Sequence, residues 1–212
     1  MFDARARRLL ERPLDRAAGA LDVPAVTPDR ITAAGLVLGL GSAATAATGW
    51  WTAAVLLWLV SRLADGLDGP LARRRRRTAQ AAGAGARGEG DAGAGGFFDI
   101  TADFTVYGAT VVGVGIGSGG PLWPFLLVLL AYYVNGTAFL ALSSIAERSG
   151  RALDDGRSLS FLGGLAEGGE TILVHTLWLL LPFWAPQIAL VWAAVVGTSA
   201  IHRIVTGYRA LR

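Results

Sequence analysis

The chain contains no cysteine, so disulfides and thiolate metal sites are excluded and nothing can be said of redox compartment. It contains no lysine either. All 19 basic residues are arginine, which together with the load of alanine and 29 glycines points to a GC-rich prokaryotic genome. Histidine occurs only as His175 and His202, each in apolar surroundings with no metal-ligating residue three or four positions away. Both are expected to pack or to hydrogen-bond between helices rather than to hold a metal. No apolar stretch precedes a cleavage site near the N-terminus, so no removable signal peptide is expected.

What is abundant is apolar. A chain of 212 residues that is 53% hydrophobic, with a mean hydropathy of +0.47, is too apolar for an ordinary soluble domain, and its charges are confined to short islands. That is the pattern of a polytopic membrane protein. The sequence pI of about 9.9 and the arginine run Arg73 to Arg77 invite a nucleic-acid reading. Arginines bordering apolar spans are expected from the positive-inside rule, however, and no nucleic-acid partner is expected.

The expected fold is all-α, with six transmembrane helices and an N-terminal amphipathic juxtamembrane helix. Residues 1–20 form the juxtamembrane unit, in which Phe2, Leu9, Leu10 and Leu14 lie among five arginines and suit an anionic membrane face. Residues 21–212 are expected to form the six-helix membrane domain. Its first span, 28–48, opens on Thr27 as N-cap and Pro28 at the first helical position, and Gly35 and Gly39 mark a close helix contact. After the turn at Gly49, Trp50 and Trp51 sit at an interfacial belt, and a second span runs to residue 72. Further spans are expected from Phe97 to the glycines at 113–119, and over 121–144, 159–181 and 186–206. Arginines fall at the N-terminus, after the second and fourth spans and at the C-terminus, whereas the connections near 49, 118 and 184 carry none. Both termini are therefore expected in the cytoplasm, with the chain in the cell (inner) membrane.

Two acidic pairs interrupt this apolar pattern: Asp65 with Asp68 at the end of the second span, and Asp99 with Asp103 at the start of the third. A carboxylate facing lipid costs on the order of 3 kcal/mol on insertion scales, so these must be sheltered, paired or bound to cations. Spacings of three and four put each pair on one helix face. Two such faces brought together make an all-oxygen cage for Mg²⁺ or Mn²⁺, and a pair of such ions clamps phosphates. A diphosphate suits the set, with Arg73 supplying forked donors and Gly69 and Gly95 allowing close backbone approach. Arg62, three before Asp65, is placed either to pair with that carboxylate or to reach phosphate. Asn135, with Tyr132 and Tyr133, gives the fourth span a polar patch that faces a cavity or ties helices together. Glu167 and Glu170 share a face of the fifth span, beside Gly168 and Thr171. They either line a ligand pocket, where carboxylates suit a polyol or an amine better than a phosphorylated alcohol, or cap the helix or make an interhelical contact near the membrane surface.

The full string runs Asp65, two residues, Asp68, Gly69, two residues, Ala72, Arg73, then Gly95, three residues, Asp99, three residues, Asp103. It resembles the signature of the CDP-alcohol phosphotransferase (phosphatidyltransferase) family, integral membrane enzymes that displace CMP from a CDP-linked group with an alcohol. The resemblance implies that Asp65, Asp68 and Asp99 hold two divalent ions that grip the CDP diphosphate. It also implies that Asp103 is the general base, and in another state a metal ligand. Substrate contacts are then expected at Gly69, Ala72, Arg73 and Gly95, the donor is CDP-diacylglycerol, the acceptor is a small polar alcohol, and a homodimer is a further expected partner state.

One departure from the family pattern is the long stretch between Arg73 and Gly95, read as an inserted flexible cytoplasmic loop at 74–94. The text DITADF also lacks the Pro and Lys of the DPxADK form of phosphatidylglycerophosphate synthases, and no basic cluster in the later spans would hold an inositol phosphate. Alternatives within the family are a phosphatidylglycerophosphate or phosphatidylserine synthase. Outside it stand a cation transporter or channel and a silent scaffold. Against a transporter, the acids lie at one membrane end rather than at the midplane and no inverted repeat is evident. Against a scaffold, all eight signature positions are intact.

Overall fold

The computed structural model describes residues 13–23, 25–81, 89–148 and 168–212, and among these residues the regular structure is helical, with no strand. A short helix covers 13–20 (α1), followed by α2 (Pro28–Ala47), α3 (Trp51–Ala81), α4 (Glu89–Gly117), α5 (Trp123–Arg148), α6 (Gly168–Leu180) and α7 (Ala185–Ala210). Of the expected juxtamembrane helix, residues 1–12 lie outside the described residues. The helical remainder rests on α3, where Leu14 lies against Gly66 and Asp22 pairs with Arg74 and Arg75.

The first span begins as its sequence dictates. Thr27 has extended backbone, its hydroxyl accepts from the Arg30 N–H, and Pro28 occupies the first turn. Small residues then let α2 approach two neighbours at once. Ser61 donates to the Gly35 carbonyl at 2.7 Å and Ser42 to the Ala54 carbonyl at 2.8 Å, so α2 and α3 run antiparallel. On the α4 side, a Cβ at Gly39 would lie 2.6 Å from the Val106 methyls, and one at Gly113 or Gly117 would run into the carbonyls of Ala43 and Ala46. Helices α2 and α4 are thus parallel and in backbone contact; of the two expected contact glycines, Gly39 lies against Val106 of α4 and Ser61 of α3, and Gly35 packs on α3.

A second group packs against this trio. Helices α5 and α7 run parallel, with Trp192 donating to the Tyr132 hydroxyl at 2.7 Å and Gly207 set against Leu142. Helix α6 packs between the groups. The shared core is built from Trp58, Val106, Val111, Phe125, Val128, Trp178, Trp192 and Val196. Phe125 meets Trp178 edge to face and Tyr132 meets His175, which makes α6 antiparallel to α5.

Among the described residues, four segments are long and apolar enough to cross a membrane: Pro28–Ala47, Gly93–Gly117, Trp123–Ala146 and Pro182–Ala210. The other two expected spans differ for identifiable reasons. Helix α3 carries Arg62, Asp65 and Asp68 within its apolar run, and the described part of α6 is 13 residues long, residues 159–167 lying outside it. Helix α3 also continues past 72 to Ala81, and α4 already begins at Glu89. The stretch expected to be loop at 74–94 is therefore helical over 74–81 and 89–94. Arginine, alanine and glutamine are good helix formers, and each residue added to an existing helix gains a ladder hydrogen bond without a new nucleation cost.

Candidate active site

Helix α2, antiparallel to α3 and parallel to α4, packs on both and so brings their acidic faces together. Asp65, Asp68 and Asp99 place carboxylate oxygens within 4.8 Å of one another. The donor set is wholly oxygen and lies on two helices that buried contacts hold rigidly, which fits a hard divalent cation such as Mg²⁺ or Mn²⁺. Asp68 is buried, and its Oδ2 accepts from the Thr32 hydroxyl at 2.6 Å.

Asp103 takes a different partner. Arg62 Nη1 donates to Asp103 Oδ1 at 2.6 Å and stands 3.8 Å from Asp65 Oδ1. The Arg62 side chain is 6% exposed, packs against the rings of Trp58 and Tyr107 at 5.1 Å from each centroid, and gives Nη2 to the Ser61 hydroxyl at 3.1 Å. Of the two roles open to Arg62 from its spacing, the structure shows pairing, directed chiefly at Asp103 on the facing helix rather than at Asp65 on its own.

The remaining signature residues lie around this centre. Arg73 folds back over Gly69, where a Cβ would sit 3.2 Å from its Nη1, and both Arg73 and Ala72 are exposed. A Cβ at Gly95 would lie 3.4 Å from Asp29 Oδ1, which places the first turn of α2 beside the start of the third span. Neither Thr32 nor Asp29 was singled out by sequence reasoning. Thr32 did carry a signal, since it shares the stripe of small residues with Gly35 and Gly39 on α2.

Glu167 lies outside the described residues. Glu170 lies in the first turn of α6, and its Oε2 is buried with no hydrogen-bond partner among the described residues; the same holds for Asn135 Oδ1 on α5. Their depth can be read from the aromatic contacts. His175 stacks on Trp58 and bonds the Tyr132 hydroxyl at 2.8 Å, which fixes one level across α3, α5 and α6. Glu170 is about 8 Å from that level along α6 and Asp65 about 10 Å along antiparallel α3, so the two reach similar depth. His175 itself is fully buried between rings, the packing and hydrogen-bonding role expected of it. Tyr133 faces outward at 73% exposure, so of the expected polar patch only Tyr132 and Asn135 turn inward.

The family model for CDP-alcohol phosphatidyltransferases matches residues 25–200. The inner membrane protein YnjF of Escherichia coli (strain K12) is 33% identical over 223 aligned positions, covering 100% of this chain and 98% of that protein. The crystal structure of Mycobacterium tuberculosis phosphatidylinositol phosphate synthase with CDP-DAG bound superposes with a TM-score of 0.68 at 22% identity, covering 93% of this chain and 94% of that one. At that identity the likeness is one of fold.

Proposed function

The chain belongs to the CDP-alcohol phosphatidyltransferase family and is an enzyme of that type, and from that premise we propose that it transfers a phosphatidyl group from CDP-diacylglycerol to a small, non-phosphorylated polar alcohol with release of CMP. The observation that carries this reading is the division of the four signature aspartates. Three converge within 4.8 Å, while the fourth is turned onto Arg62. Asp65, Asp68 and Asp99 would hold two Mg²⁺ or Mn²⁺ ions. Bound there, such ions neutralise charge on the diphosphate and on departing CMP.

The chain's own residues supply the rest. Thr32 fixes the rotamer of Asp68, and Arg73, poised over Gly69, offers its forked donors to phosphate oxygens at the open end of the site. Asp103 accepts the proton of the acceptor hydroxyl as that oxygen attacks the phosphorus bearing the diacylglycerol. The new P–O bond forms as the bond to CMP breaks, and CMP leaves with the electron pair. Glu170 presents an acceptor oxygen with no partner among the described residues at the depth of Asp65, and Asn135 presents another nearer the His175 level. Acceptor oxygens match the hydroxyls of a polyol or the ammonium of an amino alcohol, and a carboxylate repels a phosphorylated headgroup.

In the membrane we place α3 and α6 as spans beside the four apolar segments, giving six crossings with both termini and the aspartates at the cytoplasmic end, and α1 on the membrane surface. Since the native chain has no cysteine, single cysteines at Arg75 and Ser118 test this: a cytoplasm-confined reagent should label position 75 and not 118. The activity itself is tested by CMP release from purified protein given CDP-diacylglycerol, Mg²⁺ and a panel of polyols, amino alcohols and phosphorylated alcohols. Release should require the metal and one of the unphosphorylated acceptors. A preparation that CDP-lipid protects against heat unfolding, yet that releases CMP with no acceptor or only with phosphorylated ones, contradicts the proposal.

A further inference from the structure

We infer that Arg62 is a positioning residue that splits the signature aspartates, holding Asp103 as proton acceptor apart from the three that bind metal. This rests on the reading of Asp103 as the base. On spacing alone nothing separates the two members of each pair: Asp99 and Asp103 share one face of α4, and Asp65 and Asp68 one face of α3. What separates them is a cation buried at the deep end of the cluster. Arg62 is in contact with Asp103 at 2.6 Å but stands off from Asp65 at 3.8 Å.

The guanidinium cannot easily turn elsewhere. The rings of Trp58 and Tyr107 hold its plane, and its second nitrogen, Nη2, is tied to Ser61. Ser61 in turn donates to the Gly35 backbone. A continuous chain therefore runs from the α2 backbone through Ser61 and Arg62 to Asp103, so that three helices agree on where that carboxylate sits. The planar fork serves two partners at once, which a lysine ammonium on a flexible stem does poorly. Arg62 thereby ties up Asp103 Oδ1 beside Asp65, while Asp65, Asp68 and Asp99 converge as the cation set.

The test is a double-mutant cycle on the purified full-length chain, read in two ways. The first readout is Mn²⁺ binding followed by electron paramagnetic resonance without nucleotide or alcohol. The second is CMP release with kcat separated from the KM for CDP-lipid. Arg62→Gln should bind Mn²⁺ at least about 10-fold more tightly, because a cation leaves and Asp103 is freed to join the cluster. Its kcat should fall about 10²- to 10⁴-fold, the range of lost general-base catalysis, with KM within a few-fold of wild type. Adding Asp103→Asn should cost no further kcat and should remove part of the gain in Mn²⁺ affinity. Arg62→Lys keeps a cation among the rings and carries the test if the glutamine variant fails to fold: it should lose kcat with the same lack of additivity. Additive losses, or near wild-type turnover in the Arg62 variants while Asp103→Asn is inactive, overturn the positioning role and leave the base intact. Near wild-type turnover in Asp103→Asn alone overturns the base assignment and this inference with it.

Discussion

Thr32 and Asp68 lie 36 positions apart and meet through a 2.6 Å hydrogen bond that joins the first and second expected spans at the acidic cluster. The hydroxyl donates to Asp68 Oδ2 and so helps to fix the orientation of that buried carboxylate. Thr32→Val keeps the shape and removes the donor. If Asp68 is a metal ligand, losing this outer partner should raise the Mn²⁺ or Mg²⁺ concentration for half-maximal CMP release by about 10- to 100-fold. An unchanged metal dependence would place Asp68 outside the metal set.

The separation of the three clustered aspartates from Asp103 predicts two mutant behaviours. Asp65→Asn and Asp99→Asn should abolish both turnover and the protection that CDP-lipid with Mg²⁺ gives against heat unfolding, because each removes a group the diphosphate depends on. Asp103→Asn should retain protection while CMP release falls about 10²- to 10⁴-fold. An amide keeps the size of the side chain and one acceptor oxygen, so lost packing does not explain such a drop.

Backbone contact between α2 and α4 gives a prediction about stability alone. A methyl at Gly117 would run into the Ala46 carbonyl and crowd Trp51, at the end of the helices opposite the aspartates. Gly117→Ala should lower stability by about 1 to 3 kcal/mol, the cost of overpacking a close contact. The readout is the unfolding temperature in detergent, and turnover at low temperature should persist. A turnover loss as large as that of the aspartate variants would show that the outer end shapes the site.

Most of the site was legible because a spacing is a geometric statement: residues three and four apart on a helix share a face, and four acids in apolar sequence need each other or a cation. Asp65, Asp68 and Asp99 accordingly meet. What could not be read was register between helices. Nothing in the spacing of Arg62 chose Asp103 over Asp65, and nothing in Thr32 announced Asp68, since both choices are made by the depth at which α2, α3 and α4 pack. Arg73 has its motif neighbour Gly69 beneath it, yet its side chain is exposed. Helix α3 runs past residue 72 for another reason: arginine-rich sequence reads as a polar tether by composition but continues a helix by propensity.

That helical extension is held by Asp22, which accepts from Arg75 at 3.0 Å and from Arg74 at 3.1 Å. The hydrogen bond from Arg75 is the largest influence, and with Arg74 it holds the Asp22 carboxyl below its ordinary value against a smaller effect of desolvation. A carboxyl whose folded value is depressed contributes above its unfolded value, and the contribution is lost as pH falls through the folded one. The clamp of the α1 segment on α3 should therefore be full at neutral pH and open only in acid below the usual carboxylate range. A spin label on Ala20→Cys, an exposed position at the end of α1, reports it. Its mobility should rise in that acid window in otherwise native protein. In the Asp22→Asn background it should already be high at neutral pH, with an open fraction roughly two- to five-fold greater, as befits an exposed ion pair. Salt should reproduce part of the effect by screening. Label mobility indifferent to both pH and Asp22 would mean that α1 is held by Leu14 and Ala18 packing alone.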